Sequence, residues 1–435
     1  MRQVLWYGFL LALVAVFTDT VLQSIPNLSL WYMLYIPEAL LLGMYVYILL
    51  PALATILMWP RFKAMYAGKQ IPEPVDPTFF TLLVPAANEG RVIRNLLGSL
   101  KRLNYPTGAF RVIVVADNCT DDTAEITRLF GFEVYERLSE GPSSKAQALR
   151  FAAEILGDAA IADGVAVIVD ADCRLDTDFL KGLHYAYQGP FGPAAVQSFR
   201  YISNQWDSDT STLDAASEAL RQWVTSGTRH LWGMDNFSLG LGFSFRIRYL
   251  TSLLNYFPGT LAEDKAWKAW FGEKNLRIAY APDARLAYEA VNNVESFKTQ
   301  RRRWVGSSWE VAGKLGFRML WQGITRPVFS QIDFGLSLLQ QPRSFVLLSS
   351  LFVATFAFFI PASSFVPVWV WIVLPLSLTF YGFLGLFILG ARPVKYLTIL
   401  RGFPLILNVM RQTIISWFGV SETWRRPGTA SSRTG

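Results

Sequence analysis

The sequence predicts an α/β domain with a mostly parallel sheet, inserted between N- and C-terminal transmembrane helices. Three observations support this fold class. Long apolar runs lie near both ends of the 435 residues. The middle of the chain alternates short apolar segments with helical segments, which is typical of a parallel sheet covered by helices. Only 17% of the residues are charged, against about 25% in soluble domains.

The net charge and the placement of the basic residues indicate which kinds of molecule the protein binds. The net charge is +7, which suits nucleic acid, an anionic membrane surface or an anionic substrate. The basic residues collect beside the apolar runs and in one short cluster at residues 301–303. This distribution favours a membrane protein with a pyrophosphate site, so we expect no nucleic-acid partner. The two cysteines and two histidines show no zinc-ligand spacing, so carboxylates must hold any metal.

Two apolar runs open the chain, over residues 4–22 and 31–59. The first is long enough for a spanning helix. A signal peptide is the alternative, but no clear small-residue cleavage site follows. We therefore predict two transmembrane helices over residues 1–60, arranged as a hairpin. The basic residues after the second run favour the cytoplasmic side of the membrane.

Residues 61–325 are predicted to form the α/β domain. Strands are predicted from short apolar or β-branched runs at residues 80–84, 111–116, 132–135 and 165–169. Helices are predicted between them at residues 89–103, 121–130 and 144–156. Sheets of this kind bind ligands outside the carboxyl ends of their strands, so reactive residues are expected at those ends.

The C-terminal part returns to apolar sequence. Residues 326–342 are predicted to form an amphipathic interfacial helix. Residues 343–420 are predicted to contain two transmembrane helices, at 344–360 and 366–389, and one interfacial segment, at 396–417. We expect a disordered tail over residues 421–435. Four spans place the domain on the cytoplasmic face, and we expect an integral protein of the bacterial inner membrane.

Polar residues follow the first two predicted strands. Asn88 and Glu89 come after the first strand, and Asp117 comes after the second. One acidic residue after a strand can simply cap the next helix, as we expect for Asp121 or Asp122. Carboxylates at successive strand ends of one sheet are harder to explain as caps. They are expected to converge on one crevice.

Asp170 and Asp172 follow the strand that ends at Val169. Alternate residues of an extended segment share a face, so the two carboxylates can bind one hard divalent cation. Mg²⁺ prefers one or two carboxylates together with phosphates and water. A further acidic pair, Glu263 and Asp264, is interpreted as a fourth set of residues at a strand end.

The basic cluster forms part of the motif Gln300-Arg301-Arg302-Arg303-Trp304. One interpretation is a basic stretch at the membrane interface, because amphipathic sequence follows directly. The other is that an arginine binds a pyrophosphate with paired hydrogen bonds. The tryptophan would then offer a flat apolar face to a sugar ring.

These motifs resemble the membrane-embedded family-2 glycosyltransferases, which include cellulose, chitin, hyaluronan and glucosylceramide synthases. The resemblance extends from about residue 79 to 309, and the flanking apolar runs match the same architecture. The matching motifs, in the family's order, are Asp117, Asp170-x-Asp172, Glu263-Asp264 and Gln300-x-x-Arg303-Trp304. The resemblance implies a GT-A fold and a nucleotide-sugar donor, expected to be a UDP-sugar.

The resemblance also implies a role for each matching residue. Asp264 would be the catalytic base. The residues implied to bind the nucleotide-sugar are Asn88, Glu89, Asp117, Lys145, Asp170 and Arg303. The residues implied to bind the acceptor are Glu263, Gln300 and Trp304. Asp172, with Asp170, would hold Mg²⁺ or Mn²⁺. A single in-line displacement would invert the anomeric centre, and a metal and an arginine would stabilise the leaving diphosphate.

The acceptor is left open between two enzyme classes. A processive synthase that extends a β-linked polysaccharide is favoured over a transferase that adds one sugar to a ceramide-like or polyprenyl lipid. A non-catalytic membrane scaffold or transporter is the distant alternative. The presence of all the carboxylates of the motifs argues against it. The expected partners are the nucleotide-sugar, the polysaccharide or lipid acceptor and the bilayer. A secretion partner and a homo-oligomer are left open.

Overall fold

The computed structural model describes most of the chain from residue 32 onwards. The described residues are 32–140, 144–161, 164–188, 192–236, 240–258, 260, 262–360, 364–405, 407–408 and 411, without the side chains of 32–34, 158–161, 302–303 and 305–307. The predicted first span, residues 4–22, and the predicted tail, residues 421–435, lie outside the described residues.

Within the described residues, eight strands form one sheet. They are β1 (Phe80–Ala86), β2 (Phe110–Asp117), β3 (Glu133–Arg137), β4 (Val165–Ile168), β5 (Arg174–Leu175), β6 (Ala195–Ile202), β7 (Phe243–Arg246) and β8 (Ile278–Tyr288). Their order across the sheet is β3-β2-β1-β4-β7-β6-β8-β5. The pairs β3/β2, β2/β1, β1/β4 and β6/β8 are parallel, whereas β7/β4, β7/β6 and β5/β8 are antiparallel. The predicted mostly parallel sheet is confirmed.

The four predicted strands correspond to β1 to β4, each within two residues of the predicted bounds. The other strands were not predicted. β8 contains Pro282 and Asp283, and its pairing with β6 shifts register between Ser198 and Phe199. Such a mixed and irregular strand lacks the continuous apolar run from which the first four strands were predicted.

Helices cover both faces of the sheet and continue beyond it. In chain order they are α1 (Tyr32–Leu57), α2 (Trp59–Tyr66), α3 (Ile93–Leu100), α4 (Thr123–Leu129), α5 (Lys145–Ile161), α6 (Phe179–Tyr187), α7 (Asp209–Ala219), α8 (Thr228–Leu231), α9 (Leu250–Asn255), α10 (Glu263–Glu273), α11 (Val294–Val311), α12 (Phe317–Thr325), α13 (Phe329–Leu339), α14 (Arg343–Phe359), α15 (Val368–Ile388) and α16 (Leu397–Arg401). Two π-helical segments, Leu220–Gly227 and Ala312–Gly316, follow α7 and α11. The helices predicted at 89–103, 121–130 and 144–156 correspond to α3, α4 and α5.

β1 illustrates how the sheet is buried on both faces. Leu82 and Val84 belong to one apolar cluster, to which α3 and α6 contribute. Leu83, between them, belongs to a second cluster with residues of α5, α10 and α13. Neighbouring residues of a strand point to opposite faces, so a continuous apolar run serves both clusters. This packing fixes the carboxyl ends of β1, β2 and β4 at one edge of the sheet.

Two helices in the described residues are long and apolar enough to span a membrane, Tyr35–Leu57 and Val368–Ile388. They coincide with the predicted runs 31–59 and 366–389. The third predicted run corresponds to α14, which has only 17 residues. α13 and α14 are long and apolar enough to span a membrane only when they are taken together. A bend of 77° separates them, so the pair is either a broken span or a re-entrant loop.

Gly385 of α15 lies directly against α7. A Cβ atom at this position would lie 2.6 Å from the carbonyl oxygen of Ala216, so only glycine allows this approach. Leu220 and Val224, in the π-helical segment after α7, are buried in one apolar cluster with residues of α1, α14 and α15. The α/β domain is therefore packed onto the apolar helices.

A buried ion pair makes a second connection between the two parts. Arg229 of α8 donates a hydrogen bond to Asp333 of α13, and both side chains are 5% exposed. The hydroxyl of Tyr47, in α1, donates to the same carboxylate at 3.1 Å. The ion pair therefore joins the α/β domain to α13 and to an apolar helix.

Candidate active site

The loops after β1 and β2 are joined by hydrogen bonds. Asn88 adopts a left-handed conformation with φ 58°, and its Oδ1 accepts from the backbone N–H of Thr120 at 2.8 Å. The backbone N–H of Glu89 donates to Oγ1 of Thr123 at 2.8 Å. Asn88 is exposed, whereas Glu89 is buried. Of these two predicted nucleotide-binding residues, Asn88 is therefore the more accessible to a ligand.

Asp117, at the end of β2, is buried and engaged on both carboxylate oxygens. Its Oδ1 accepts from Nη1 of Arg137 at 2.5 Å. Its Oδ2 accepts from the backbone N–H of Ser144 at 3.2 Å. Ser144 directly precedes α5, so Asp117 positions the start of that helix. Its predicted contact with the nucleotide stays a prediction.

Lys145, the first residue of α5, connects the end of β2 to the end of β4. Its Nζ donates to Oδ1 of Asp170 at 2.5 Å. Burial is the largest single effect and lowers the pKa of Lys145, but the charge and hydrogen bond of Asp170 and the charge of Glu263 together outweigh it, so the pKa lies above its ordinary value. Burial, with the charges of Asp172 and Asp170, raises the pKa of the Cys173 thiol. Lys145, Asp170 and Asp172 are hereafter the strand-end group.

Glu263 and Asp264 begin α10 and do not follow a strand, so the prediction of a fourth strand end is wrong. A short 3₁₀ helix and α9 separate them from β7. They nevertheless lie beside the strand-end group. Burial is the main cause that raises the pKa of Glu263; the charges of Asp264 and Asp170 raise it further, and Lys145 lowers it. Oδ1 of Asp264 accepts from the backbone N–H of Lys265 at 2.9 Å.

α11 carries two of the three predicted acceptor-binding residues, Gln300 and Trp304. Oε1 of Gln300 is buried and has no hydrogen-bond partner among the described residues. Trp304 is 37% exposed, and the guanidinium carbon of Arg301 lies 4.9 Å from its ring centre. Arg301 also donates to Asp214, so this member of the basic cluster is held by a carboxylate. The side chain of Arg303 lies outside the described residues, although its backbone belongs to α11.

A hydrogen bond joins the two helices of the site. Nζ of Lys265 donates to Oγ of Ser308, which lies one turn after Trp304 on α11. The Glu263-Asp264 pair is thereby linked to the helix that carries Gln300 and Trp304. The structure thus brings most of the predicted residues into two connected groups, one at the strand ends and one where α10 meets α11.

The strand-end group fits a divalent cation that is completed by a ligand. Asp170 and Asp172 are half-buried carboxylates, and Lys145 occupies one oxygen of Asp170. No set of three or more His, Cys, Asp or Glu side chains that could hold a metal occurs in the described part of the chain. Two carboxylates, with phosphate and water oxygens, make the donor set that Mg²⁺ and similar ions accept.

Sequence reasoning missed several residues of this site. Ser144 and Arg137, which hold Asp117, carry no motif of their own. The Arg301–Asp214 ion pair joins residues that are far apart in sequence, and no pattern indicates such a pairing. An exposed apolar stripe on α12 also went unnoticed; its members are Phe317, Trp321 and Ile324.

The chain is similar to known glycosyltransferases. The family model described as "Glycosyltransferase like family 2" matches residues 77–307. A β-monoglucosyldiacylglycerol synthase of Nostoc sp. is 23% identical over 297 residues, which cover 65% of this chain and 60% of that protein. The probable glycosyltransferase YdaM of Bacillus subtilis is 27% identical over 236 residues, which cover 52% of this chain and 54% of that protein. The chain thus spans less than two thirds of the length of these relatives.

A solved structure shares the fold. It is the mannosyltransferase PcManGT from Pyrobaculum calidifontis in complex with GDP-Man and Mn²⁺. The match has a TM-score of 0.50 and 18% sequence identity, and it covers 87% of this chain and 98% of that chain. The α/β domain has the predicted GT-A fold.

Proposed function

The chain belongs to the glycosyltransferase-like family 2, and we propose that it transfers one sugar from a nucleotide-sugar to the hydroxyl of a membrane lipid. One observation carries the proposal. The Glu263-Asp264 pair lies beside the strand-end group and begins α10, which packs on α13 next to the apolar helices. A sugar donor at the strand ends and a lipid acceptor from the membrane could meet at this pair.

The donor would lie along the strand ends. Asn88, Glu89 and Asp117 would be near the nucleotide, for which a uridine is expected. Lys145 offers a cation to the phosphates, and Arg303 would face the leaving diphosphate. Asp172 and Asp170 would hold Mg²⁺ or Mn²⁺. When bound, this ion would neutralise negative charge on the departing diphosphate.

Asp264 is the proposed base for the transfer. The acceptor oxygen forms a bond to the anomeric carbon while the bond from that carbon to the diphosphate oxygen breaks. The hydroxyl proton passes to the Asp264 carboxylate, and the nucleoside diphosphate leaves with the electron pair of the broken bond. The displacement occurs in one step, so the anomeric centre inverts.

An exposed apolar face on α12 supports a lipid acceptor. The exposed stripe of Phe317, Trp321 and Ile324 has the i, i+4, i+7 spacing of one helix face. Such a face suits the membrane interface, next to α13 and α14. The name of one relative, a synthase of monoglucosyldiacylglycerol, points to the same class of acceptor. The polysaccharide that the sequence favoured, like the bacterial inner-membrane location, stays a prediction.

A donor and product screen tests the proposal. The full chain, purified in a neutral detergent, is incubated with Mn²⁺, a membrane lipid extract and labelled UDP- or GDP-sugars. We expect release of nucleoside diphosphate that requires the metal, and a product that is a lipid with one added sugar. A ladder of long saccharides among the products would show that the acceptor is a growing polymer and not a lipid. Absence of metal-dependent release with every donor would contradict the proposed activity.

A further inference from the structure

Three arginines lie near one another where α7, α11, α14 and α15 meet. Arg221 belongs to the π-helical segment after α7, Arg301 to α11, and Arg343 is the first residue of α14. Arg221 and Arg301 lie close enough to Arg343 for their charges to repel it. The guanidinium carbon of Arg343 lies 4.6 Å from the ring centre of Tyr381 on α15. Arg221, Arg301 and Arg343 are hereafter the arginine cluster.

The cluster carries more positive than negative charge. Glu218 accepts from Arg221, but it also accepts from the buried Arg200 at 2.6 Å. Asp214 pairs with Arg301. Among the described residues, Arg343 has no carboxylate within ion-pair distance. Because the surroundings are half-buried, this excess charge would be stabilised by an anionic ligand.

Two unsatisfied polar atoms belong to Arg301 and to Ser344, the residue after Arg343. Oγ of Ser344 and Nε of Arg301 are buried, and neither has a hydrogen-bond partner among the described residues. Arg343 and Ser344 form the first turn of α14, whose N-cap residue, Pro342, makes no side-chain cap. The first backbone N–H groups of a helix lack intrahelical acceptors and favour anions. These donors and the guanidinium groups match the oxygens of a phosphate.

Lys265 connects the arginine cluster to the proposed base. Burial is the main cause that lowers the pKa of Lys265, the charge of Arg221 lowers it further, and Asp264 opposes both. The side chain of Lys265 therefore lies near enough to Asp264 and to Arg221 to interact with both charges. A ligand with one group at the cluster could present a neighbouring oxygen to the site of transfer.

We propose that the arginine cluster binds a phosphate group of the acceptor lipid. This inference rests on the proposed function and names the class of its acceptor. Arginine suits phosphate because its planar guanidinium donates paired hydrogen bonds. The cluster also lies where the apolar helices join the α/β domain. A neutral lipid such as diacylglycerol would leave the excess charge unbalanced.

Two kinds of lipid supply this phosphate. In phosphatidylglycerol the phosphate lies beside a headgroup hydroxyl, whose proton would pass to Asp264 as the new bond forms. In a polyprenyl phosphate the attacking oxygen belongs to the phosphate itself and is already ionised, so this lipid would replace the hydroxyl acceptor of the proposed function. Asp264→Asn would therefore abolish transfer to phosphatidylglycerol but spare transfer to polyprenyl phosphate.

Lipid binding tests the inference without knowledge of the sugar. The full chain in neutral detergent is titrated with phosphatidylglycerol, with polyprenyl phosphate and with diacylglycerol, and binding is measured by native mass spectrometry. We expect at least one phosphate lipid to bind about ten-fold more tightly than diacylglycerol. Arg343→Gln and Arg301→Gln should each remove about that factor, whereas Arg343→Lys should retain part of it. Arg248→Gln, at an exposed arginine directly after β7, is the matched control.

The outcomes separate this inference from the proposed function. Equal affinity for diacylglycerol and for both phosphate lipids, or unchanged lipid affinity in Arg343→Gln and Arg301→Gln, would overturn the inference. Nucleoside diphosphate binding in the presence of Mn²⁺ is measured on every variant and shows that each is folded. Tight phosphate-lipid binding without any sugar transfer would leave the cluster as a lipid site and refute the transferase proposal instead.

Discussion

Lys145 and Asp170 form a 2.5 Å hydrogen-bonded ion pair between the first residue of α5 and the segment after β4. The pair leaves the second oxygen of Asp170 available beside Asp172. It also places the positive charge of Lys145 at the carboxyl edge of the sheet, where sheets of this kind bind ligands. A nucleotide-sugar at this edge would meet both the cation and the two carboxylates.

Loss of the Lys145 charge should impair use of the donor. Lys145→Gln is expected to lower kcat/KM for the nucleotide-sugar by about ten- to a hundred-fold, since a hydrogen bond to a charged group contributes about 1.5–3 kcal/mol. Lys145→Arg should retain more activity than Lys145→Gln. Steady-state release of nucleoside diphosphate measures the effect, with the exposed Lys101→Gln as control. Equal kcat/KM in Lys145→Gln and the wild type would remove Lys145 from the donor site.

The metal requirement should depend on Asp172. Asp172→Asn is expected to raise the Mn²⁺ concentration for half-maximal activity by at least about ten-fold, because changes around metal sites commonly have effects of this size. A Mn²⁺ titration of activity measures the shift. Asp207→Asn makes the same charge change at an exposed position. An unchanged Mn²⁺ dependence would mean that other residues bind the ion.

The buried Arg229–Asp333 pair should contribute to stability. Asp333→Ala would leave Arg229 buried without its carboxylate, and we expect a loss of about 3–5 kcal/mol. Thermal unfolding in detergent should show a lower midpoint. Glu136→Ala breaks the exposed Arg128–Glu136 pair, which should cost less than about 1 kcal/mol. Similar midpoints for the two variants would argue against a structural role of the buried pair.

Because Lys268 is buried, the free energy of unfolding should rise as the pH increases above neutral. Burial, with the charges of Lys265 and Arg229, lowers the pKa of Lys268 to about 7, and Asp264 opposes this shift. The ordinary value is 10.5, so the unfolded chain binds more protons between these two pH values. The free energy of unfolding therefore rises with pH across that window.

The test compares thermal midpoints of the wild type and Lys268→Met from pH 7 to pH 9. The midpoint of the wild type should rise relative to that of the variant, which lacks the titrating group. Lys101→Met, at an exposed lysine, should behave like the wild type. Parallel pH profiles for the wild type and Lys268→Met would show that Lys268 keeps an ordinary pKa.

The parts of the fold that the sequence predicted are those that local patterns determine. β1 to β4 have continuous apolar runs, and α1 and α15 have apolar runs of spanning length. β5 to β8 were not predicted because their order depends on antiparallel and irregular pairings between distant segments. Glu263 and Asp264 were assigned to a strand end, because an acidic pair carries no local signal that separates a strand end from a helix start.

The site was predictable from motifs only in part. The motifs named Asp170, Asp172 and Asp264, but they could not indicate that Asp117 is engaged by Arg137 and Ser144. The arginine cluster could not be predicted from the sequence, because its members come from segments that meet only after the apolar helices pack on the α/β domain. Their excess charge is a property of the tertiary structure.

Kinetics of Asp264→Asn, measured together with nucleotide-sugar binding, test the central claim most directly. The variant keeps the shape of the side chain but cannot accept the hydroxyl proton. Sugar transfer to a hydroxyl acceptor should fall by about 10²–10⁴-fold, while the Kd of the nucleotide-sugar stays as in the wild type and in Asp207→Asn. Undiminished transfer to a hydroxyl acceptor by Asp264→Asn would contradict the assignment of the base and, with it, the proposed arrangement of donor and acceptor.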